Sequence, residues 1–175
     1  LCPHIDYVRG GPAYAWAYNA IKQHSKARTF IILGTLHTPS FEPFIITDKP
    51  FKTVLGITDI DHELVKEIEE KYKGNLRSQE YLHTAETTIE LQVTSLQHIM
   101  GDTEFKIVPI LVGNFDQYLE NRESPYPDAV SDIRNMIDTL SEIIASRDDV
   151  VLIGGVDFAH CGQEFGDDFI VDEKV

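Results

Sequence analysis

The sequence predicts an α/β fold: a central, mostly parallel sheet of mixed character with helices on both faces. Three observations carry this expectation. Short continuous apolar runs, such as Thr29-Phe30-Ile31-Ile32-Leu33 and Val150-Val151-Leu152-Ile153, are rich in β-formers and read as strands buried on both faces. Longer stretches with apolar residues at helical spacing lie between such runs. The two patterns alternate along most of the chain, as they do in a sheet covered by crossover helices.

Taken in order, Leu1-Cys2-Pro3 reads as the tail of a strand. Residues 12–24 form a helix carried by Ala13, Ala17, Ala20 and Ile21, with Pro12 suited to its first position. The strand of residues 29–33 is closed by Gly34. Residues 44–47 and 52–57 are two further strands, and the turn-like Asp48-Lys49-Pro50 between them predicts a hairpin. Residues 61–72 form a helix with Asp61 as N-cap, Leu64, Val65 and Ile68 on its apolar face, and Gly74-Asn75 as its stop. Residues 86–100 form another, with Ile89, Val93, Leu96 and Met100 on one stripe and Gly101 as C-cap. Residues 106–112 are a strand, 116–128 a loop, 127–147 a long amphipathic helix and 150–153 a last buried strand.

The chain has 175 residues, enough to bury roughly 70% of its unfolded surface without a disulfide or metal staple. Lys and Arg number 15 against 29 Asp and Glu, a formal charge of −14. A field of that sign repels phosphate backbones and anionic lipid, so neither nucleic acid nor a membrane surface is an expected partner. No apolar run approaches the ~20 residues of a spanning helix. The two cysteines, Cys2 and Cys161, make no disulfide framework, and a reducing, cytoplasmic setting is the default expectation. The ends read as those of a fragment, residues 1–175 being a single domain that lacks parts at both termini.

Three predicted strands end alike. The first runs into Pro3-His4-Ile5-Asp6, the second into Thr35-Leu36-His37, and the last into Val156-Asp157-Phe158-Ala159-His160. Open α/β sheets hold ligands just beyond the carboxyl ends of their strands. If these strands are neighbours, three of the seven histidines converge on one crevice. Imidazoles with carboxylate help suit Fe, Zn or Cu, and two histidines with one carboxylate is the pattern of non-haem Fe(II) oxygenases. A single histidine after a strand is ordinarily a hydrogen-bonded loop residue, and His24, His98 and His62 near helix ends have structural explanations. His83, just before a helix start, reads either way. Glu86 and Glu90 share a helical face; Glu86 is as readily a helix-terminal acid as a carboxylate aimed at the crevice. Gly34, Gly154 and Gly155 are expected where backbone turns close to something bound. Gly10-Gly11, ahead of Pro12, is expected to offer free N–H groups to an anion.

These residues resemble the Memo-like family, also called AmmeMemoRadiSam system protein B. The resemblance runs through Pro3-His4-Ile5-Asp6-Tyr7 with Gly10-Gly11 and Ala13-Tyr14, then Ile32-Leu33-Gly34-Thr35-Leu36-His37. It continues in His83-Thr84-Ala85-Glu86-Thr87-Thr88-Ile89-Glu90-Leu91-Gln92, in Ile107-Val108-Pro109-Ile110-Leu111-Val112-Gly113 and in Val156-Asp157-Phe158-Ala159-His160-Cys161-Gly162. The motifs stand in the family's order over nearly the whole chain. The resemblance implies a fold like that of the class III extradiol dioxygenases and a pocket lined by His4, His37, Asp157 and His160.

By the same resemblance, His4 and His37 are expected to ligate a divalent metal, Fe(II) first, with Zn and Cu as alternatives. Asp157 or Glu86 would be the oxygen donor, and His160 with Asp157 would do the proton chemistry. Asp6, Glu86 and His83 are expected to line the pocket, whose ligand would be a small molecule or a peptide. The activity implied is that of a dioxygenase-type oxidoreductase; a binding and signalling module that kept the pocket, or a metal-dependent hydrolase, are the alternatives. Memo-like proteins are known for recognising phosphorylated peptides, but the charge of −14 opposes an anionic partner. Two departures stand out. The family's Glu-His-Ser is here Glu86-Thr87-Thr88, and the family's pocket cysteine would lie beyond Val175, Cys161 not being its counterpart. An ion held by two imidazoles and a carboxylate is accordingly expected to exchange readily, or to be absent.

Overall fold

A computed structural model describes residues 1–115, 129–157 and 160–171. Its strands are β1 (Cys2–Pro3), β2 (Thr29–Thr35), β3 (Phe44–Ile46), β4 (Phe51–Thr53), β5 (Gly56–Ile60), β6 (Lys106–Val112) and β7 (Val150–Val156). Its α-helices are α1 (Tyr7–His24), α2 (His62–Lys71), α3 (Thr88–Met100) and α4 (Ala129–Ser146). The strands form one mixed sheet in the order β1-β7-β2-β6-β5-β4, with β3 beside β6. β1, β7, β2, β6 and β5 run parallel; β3 against β6 and β4 against β5 are antiparallel. The fold is α/β with helices packed on a mostly parallel sheet, as the alternation of apolar runs requires.

The centre of the sheet follows from residue type. Successive side chains on a strand point to opposite faces, yet Phe30, Ile31 and Ile32 of β2 are all fully buried, as are Ile107 and Val108 of β6. Both faces are therefore covered. Helices pack in two pairs, α1 on α3 and α2 on α4. The Tyr18 hydroxyl of α1 donates to Gln92 Oε1 of α3 at 2.7 Å inside the first pair. β2 and β7 are interior strands, in register from Thr29 beside Val150 to Gly34 beside Gly155.

Pro109 stands in an interior strand, where a missing N–H would ordinarily break the ladder. One edge of β6 changes partner along its length: Lys106 and Ile107 pair with β5, and Ile110, Leu111 and Val112 with β3. The Ile107 carbonyl accepts from Asp61 N on that edge. Pro109 has the same parity, so its nitrogen faces the gap between the two partners and no bond is lost.

Four local expectations are corrected. Helix α1 starts at Tyr7, because Asp6 caps it by accepting from Arg9 N at 3.1 Å, and Pro12 lies inside the helix rather than at its first position. Gly10 and Gly11 are therefore helical; Gly10 N is spent on the Asp6 carbonyl, and no anion cradle forms there. Gly10 is needed for packing, since a Cβ would stand 2.7 Å from the Ile5 side chain. The hairpin lies elsewhere too. The run 52–57 is broken at Val54-Leu55, and Thr53 pairs with Gly56, which has φ +140°, so β4 turns back as β5 while β3 joins β6. Helix α3 starts at Thr88, leaving Glu86 ahead of it. The expected helix cap at Asp61 is present, its carboxylate accepting from Leu64 N at 3.0 Å. The loop of residues 116–128 lies outside the described residues.

Candidate metal centre

Because β1, β7 and β2 are adjacent and parallel, their carboxyl ends open on one edge of the sheet. His4 follows β1, Asp157 follows β7 and His37 lies two residues beyond β2. Helix α3 presses onto the same edge. Thr88 Oγ1 donates to the Thr35 carbonyl at 2.9 Å, and Gln92 Nε2 donates to the Pro3 carbonyl at 2.9 Å. Gly34 and Gly155 give α3 room for this approach, whereas a Cβ on Gly154 would meet the Leu1 and Val156 side chains. A Cβ on Gly34 would stand 2.5 Å from Ile89 and 2.7 Å from Thr88, and one on Gly155 would stand 2.8 Å from Gln92.

The two imidazoles face each other, His4 Nε2 lying 3.2 Å from His37 Nε2. Each ring is held from behind. His4 Nδ1 is 2.9 Å from the Val156 carbonyl, and His37 Nδ1 is 2.9 Å from Glu86 Oε2. A carbonyl and an ionised carboxylate only accept, so both Nδ1 atoms carry hydrogen. In neutral imidazoles both Nε2 atoms then present lone pairs to one another, an arrangement that a shared cation or proton relieves. Asp157 Oδ1 lies 3.9 Å from His4 Nε2, and the ligand atoms of His4, His37 and Asp157 fall within 4.8 Å of one another. Two nitrogens at roughly 2.0–2.1 Å from one ion stand about 2.8–3.0 Å apart in octahedral and about 3.3–3.4 Å in tetrahedral geometry, a range that brackets this pair, so this donor set suits a divalent metal.

His160 completes the rim. Its Nε2 is 3.4 Å from Asp157 Oδ1, and its ring meets Phe165 edge-on at 4.9 Å between centroids. His4, His37, Asp157 and His160 border one crevice together with Asp6, Arg9, Thr87 and Glu90. Asp6 is on that rim but also caps α1 and pairs with Arg9 at 2.6 Å, which holds its carboxyl below the usual range. Thr87 stands on the same rim.

Glu86 sits behind His37, its side chain only 8% exposed. Burial would raise its pKa, but hydrogen bonds from the His37 main chain and ring and from Thr87 N outweigh that and hold it below the ordinary glutamate value. His83 is placed apart from the cluster. Its Nε2 donates to the Ile45 carbonyl at 3.0 Å, its ring meets Phe51, and burial pushes its pKa down to about 4. It does not border the crevice that His4, His37 and His160 share.

Sequence reasoning missed three contributors. The Val156 carbonyl is backbone and leaves no mark in residue type. Phe165 comes from a short helical turn, Gln163–Phe165, with no pattern of its own. Gln92 had a signal: it is a fully buried polar residue on the stripe otherwise formed by Ile89, Val93 and Leu96.

A family model for Memo-like proteins matches residues 1–174. The chain is 32% identical over 169 residues to a MEMO1 family protein of Thermococcus kodakarensis, covering 95% of this chain and 54% of that one. It is 30% identical over 161 residues to a MEMO1 family protein of Methanosarcina acetivorans, covering 91% and 53%. It is 26% identical over 167 residues to one of Aquifex aeolicus, covering 95% and 40%. The chain thus spans about half the length of the curated relatives it matches. No helix among the described residues is long and apolar enough to cross a membrane.

Proposed function

The chain belongs to the Memo-like family, and from that premise we propose that His4, His37 and Asp157 form a mononuclear divalent-metal centre of the non-haem Fe(II) oxygenase type. The observation that carries this reading is the pair of Nε2 atoms 3.2 Å apart, each ring turned by an acceptor on its Nδ1, with a carboxylate beside them. Two imidazoles and one carboxylate leave coordination positions free, as an oxygenase requires. Asp157, not Glu86, is the oxygen donor, because both Glu86 oxygens are already committed to N–H groups. Bound Fe(II) would supply a place where a catecholate-like substrate and O₂ meet.

The chain's own residues do the rest. His160 Nε2 lies 3.4 Å from Asp157 Oδ1 at the rim, placed to pass a proton to or from a bound molecule. Phe165 backs the His160 ring. With Asp6, Glu90 and Asp157 on the rim against Arg9, the crevice favours a neutral or weakly charged small molecule over a phosphorylated peptide. Anaerobic titration with Fe(II), followed by a ring-opening assay on catechols, tests the reading. Expected are stoichiometric binding, its loss in His4→Ala, and a ring-opened product whose formation falls in His160→Ala. Metal binding accompanied by ester or phosphoester cleavage, with no ring opening, would move the chain to the hydrolases. No binding of Fe(II), Zn(II) or Cu(II) would leave a module without metal chemistry.

A further inference from the structure

We propose that Glu86 is a positioning residue for this centre: its carboxylate fixes His37 as the Nδ1–H tautomer and turns Nε2 toward His4 and Asp157. The inference rests on the metal-centre reading and goes beyond it by assigning work to a residue that supplies no ligand atom. Glu86 Oε2 accepts from the His37 ring at 2.9 Å and from the His37 main-chain N at 3.0 Å. One oxygen thus grips both the backbone and the ring of the same residue. The other oxygen accepts from Thr87 N at 2.9 Å and Thr88 N at 3.3 Å, at the start of α3. Thr88 in turn bonds the Thr35 carbonyl at the end of β2. The carboxylate therefore sits on a support joined to the strand that delivers His37.

Burial cannot do this work, because the His37 side chain is 54% exposed. An imidazole so open would rotate and exchange tautomers freely without a partner. His4 differs: it is oriented by a main-chain carbonyl, which no substitution removes, and its side chain is 15% exposed. Glu86 is thus the side chain on which the geometry of the pair depends. Partners of this kind, which orient a ligating histidine, typically carry about 10–100-fold in metal affinity.

The test uses Glu86→Gln in the whole chain and reads two quantities. The first is the His37 tautomer, from long-range ¹⁵N–¹H NMR without metal, at a pH where the imidazoles are neutral. The second is Zn(II) or Co(II) affinity by calorimetry, with the Co(II) visible spectrum as a geometric readout. Wild type should show hydrogen on His37 Nδ1. The variant should shift hydrogen toward Nε2, bind metal roughly 10–100-fold more weakly and alter the Co(II) bands. Asp61→Asn, which weakens the cap of α2 away from this crevice, should lower stability but leave the tautomer unchanged and the affinity within about twofold. A Glu86→Gln protein that melts earlier but keeps the wild-type tautomer and affinity would overturn the proposal and leave Glu86 a plain helix cap. Should that variant not fold, a wild-type His37 carrying its hydrogen on Nε2 overturns it equally. If wild type binds no metal, the metal-centre reading fails by itself, and the tautomer ratio still decides whether Glu86 orients His37.

Discussion

Two regions of this molecule each set a histidine near a glutamate, and they end in opposite arrangements. At the carboxyl edge of the sheet, Glu86 takes the ring and main chain of His37, leaving Nε2 pointed at His4. Behind β3, in the helical turn Glu80–Thr84, Glu80 is taken by others: Thr47 Oγ1 at 2.6 Å, Arg77 at 3.3 Å and Lys49 at 3.4 Å. His83 is left with the Ile45 carbonyl, and its buried Nδ1 has no hydrogen-bond partner among the described residues. Both regions contain a glutamate and a histidine, but only Glu80 has cationic neighbours. The difference lies in which partner reaches the acid first. An acid with cationic and hydroxyl partners is a structural strut, whereas an acid spent on an imidazole leaves that imidazole's second nitrogen for other use.

The largest expected effect separates the two histidines outright. His37→Ala should lower divalent-metal affinity by more than the roughly 10–100-fold that losing a supporting partner costs. His83→Phe should leave affinity unchanged within error. Calorimetric titration of both variants checks this, and equal losses would erase the distinction.

Acid should act next, and on the buried histidine. His83 titrates near 4 when folded because burial disfavours its charged form, against about 6.5 unfolded. Its folded value is depressed, so the unfolded chain binds the proton first. Stability is fully present above pH ~6.5, declines as pH falls through the window between about 6.5 and 4, and levels off below. The total is about 3 kcal/mol at most. Urea denaturation from pH 7 to pH 4 measures it, and His83→Phe should flatten the slope in that window. An unchanged slope would show that His83 is not the responsible group.

The platform under the candidate metal site should be less costly to disturb. Gly34→Val puts a side chain where a Cβ already stands 2.5 Å from Ile89, which should destabilise by about 1–3 kcal/mol and weaken metal binding with it. Loss of stability with intact affinity would uncouple α3 from the site. The smallest effect should come from Thr88→Val. It removes one buried hydrogen bond to the Thr35 carbonyl and should cost about 1 kcal/mol by chemical denaturation.

Much of the fold is legible in the sequence. The strand of residues 106–112 and the capped helix after Asp61 have unbroken patterns, and both lie where the pattern puts them. The hairpin was not legible where it lies, because residues 52–57 read as one strand and Asp48-Lys49-Pro50 as the turn until Gly56 is seen to hold a positive φ. Nor was the start of α1, where Pro12 looks like a first helical residue and Asp6 is the actual cap. Among the site residues, His4, His37, Asp157 and His160 could be selected because each follows an apolar strand. Glu86 could be selected but not assigned, and His83, six residues after Arg77 and three before Glu86, gave no sign that it would turn the other way.

By itself, the sequence determined the periodicities, and so the layered α/β class. It also determined the family membership and the rule that ligand chemistry gathers at strand ends. The tertiary structure decided strand order, and with it everything about the site's geometry. Only when β7 inserts between β1 and β2 does the Val156 carbonyl come behind His4 and Asp157 beside it. Only when α3 seats against Gly34 does Glu86 come behind His37. The physical reason is range. Helix and strand patterns are set by neighbours a few residues apart, whereas a ring's tautomer and direction are set by one acceptor, here 49 or 152 residues away.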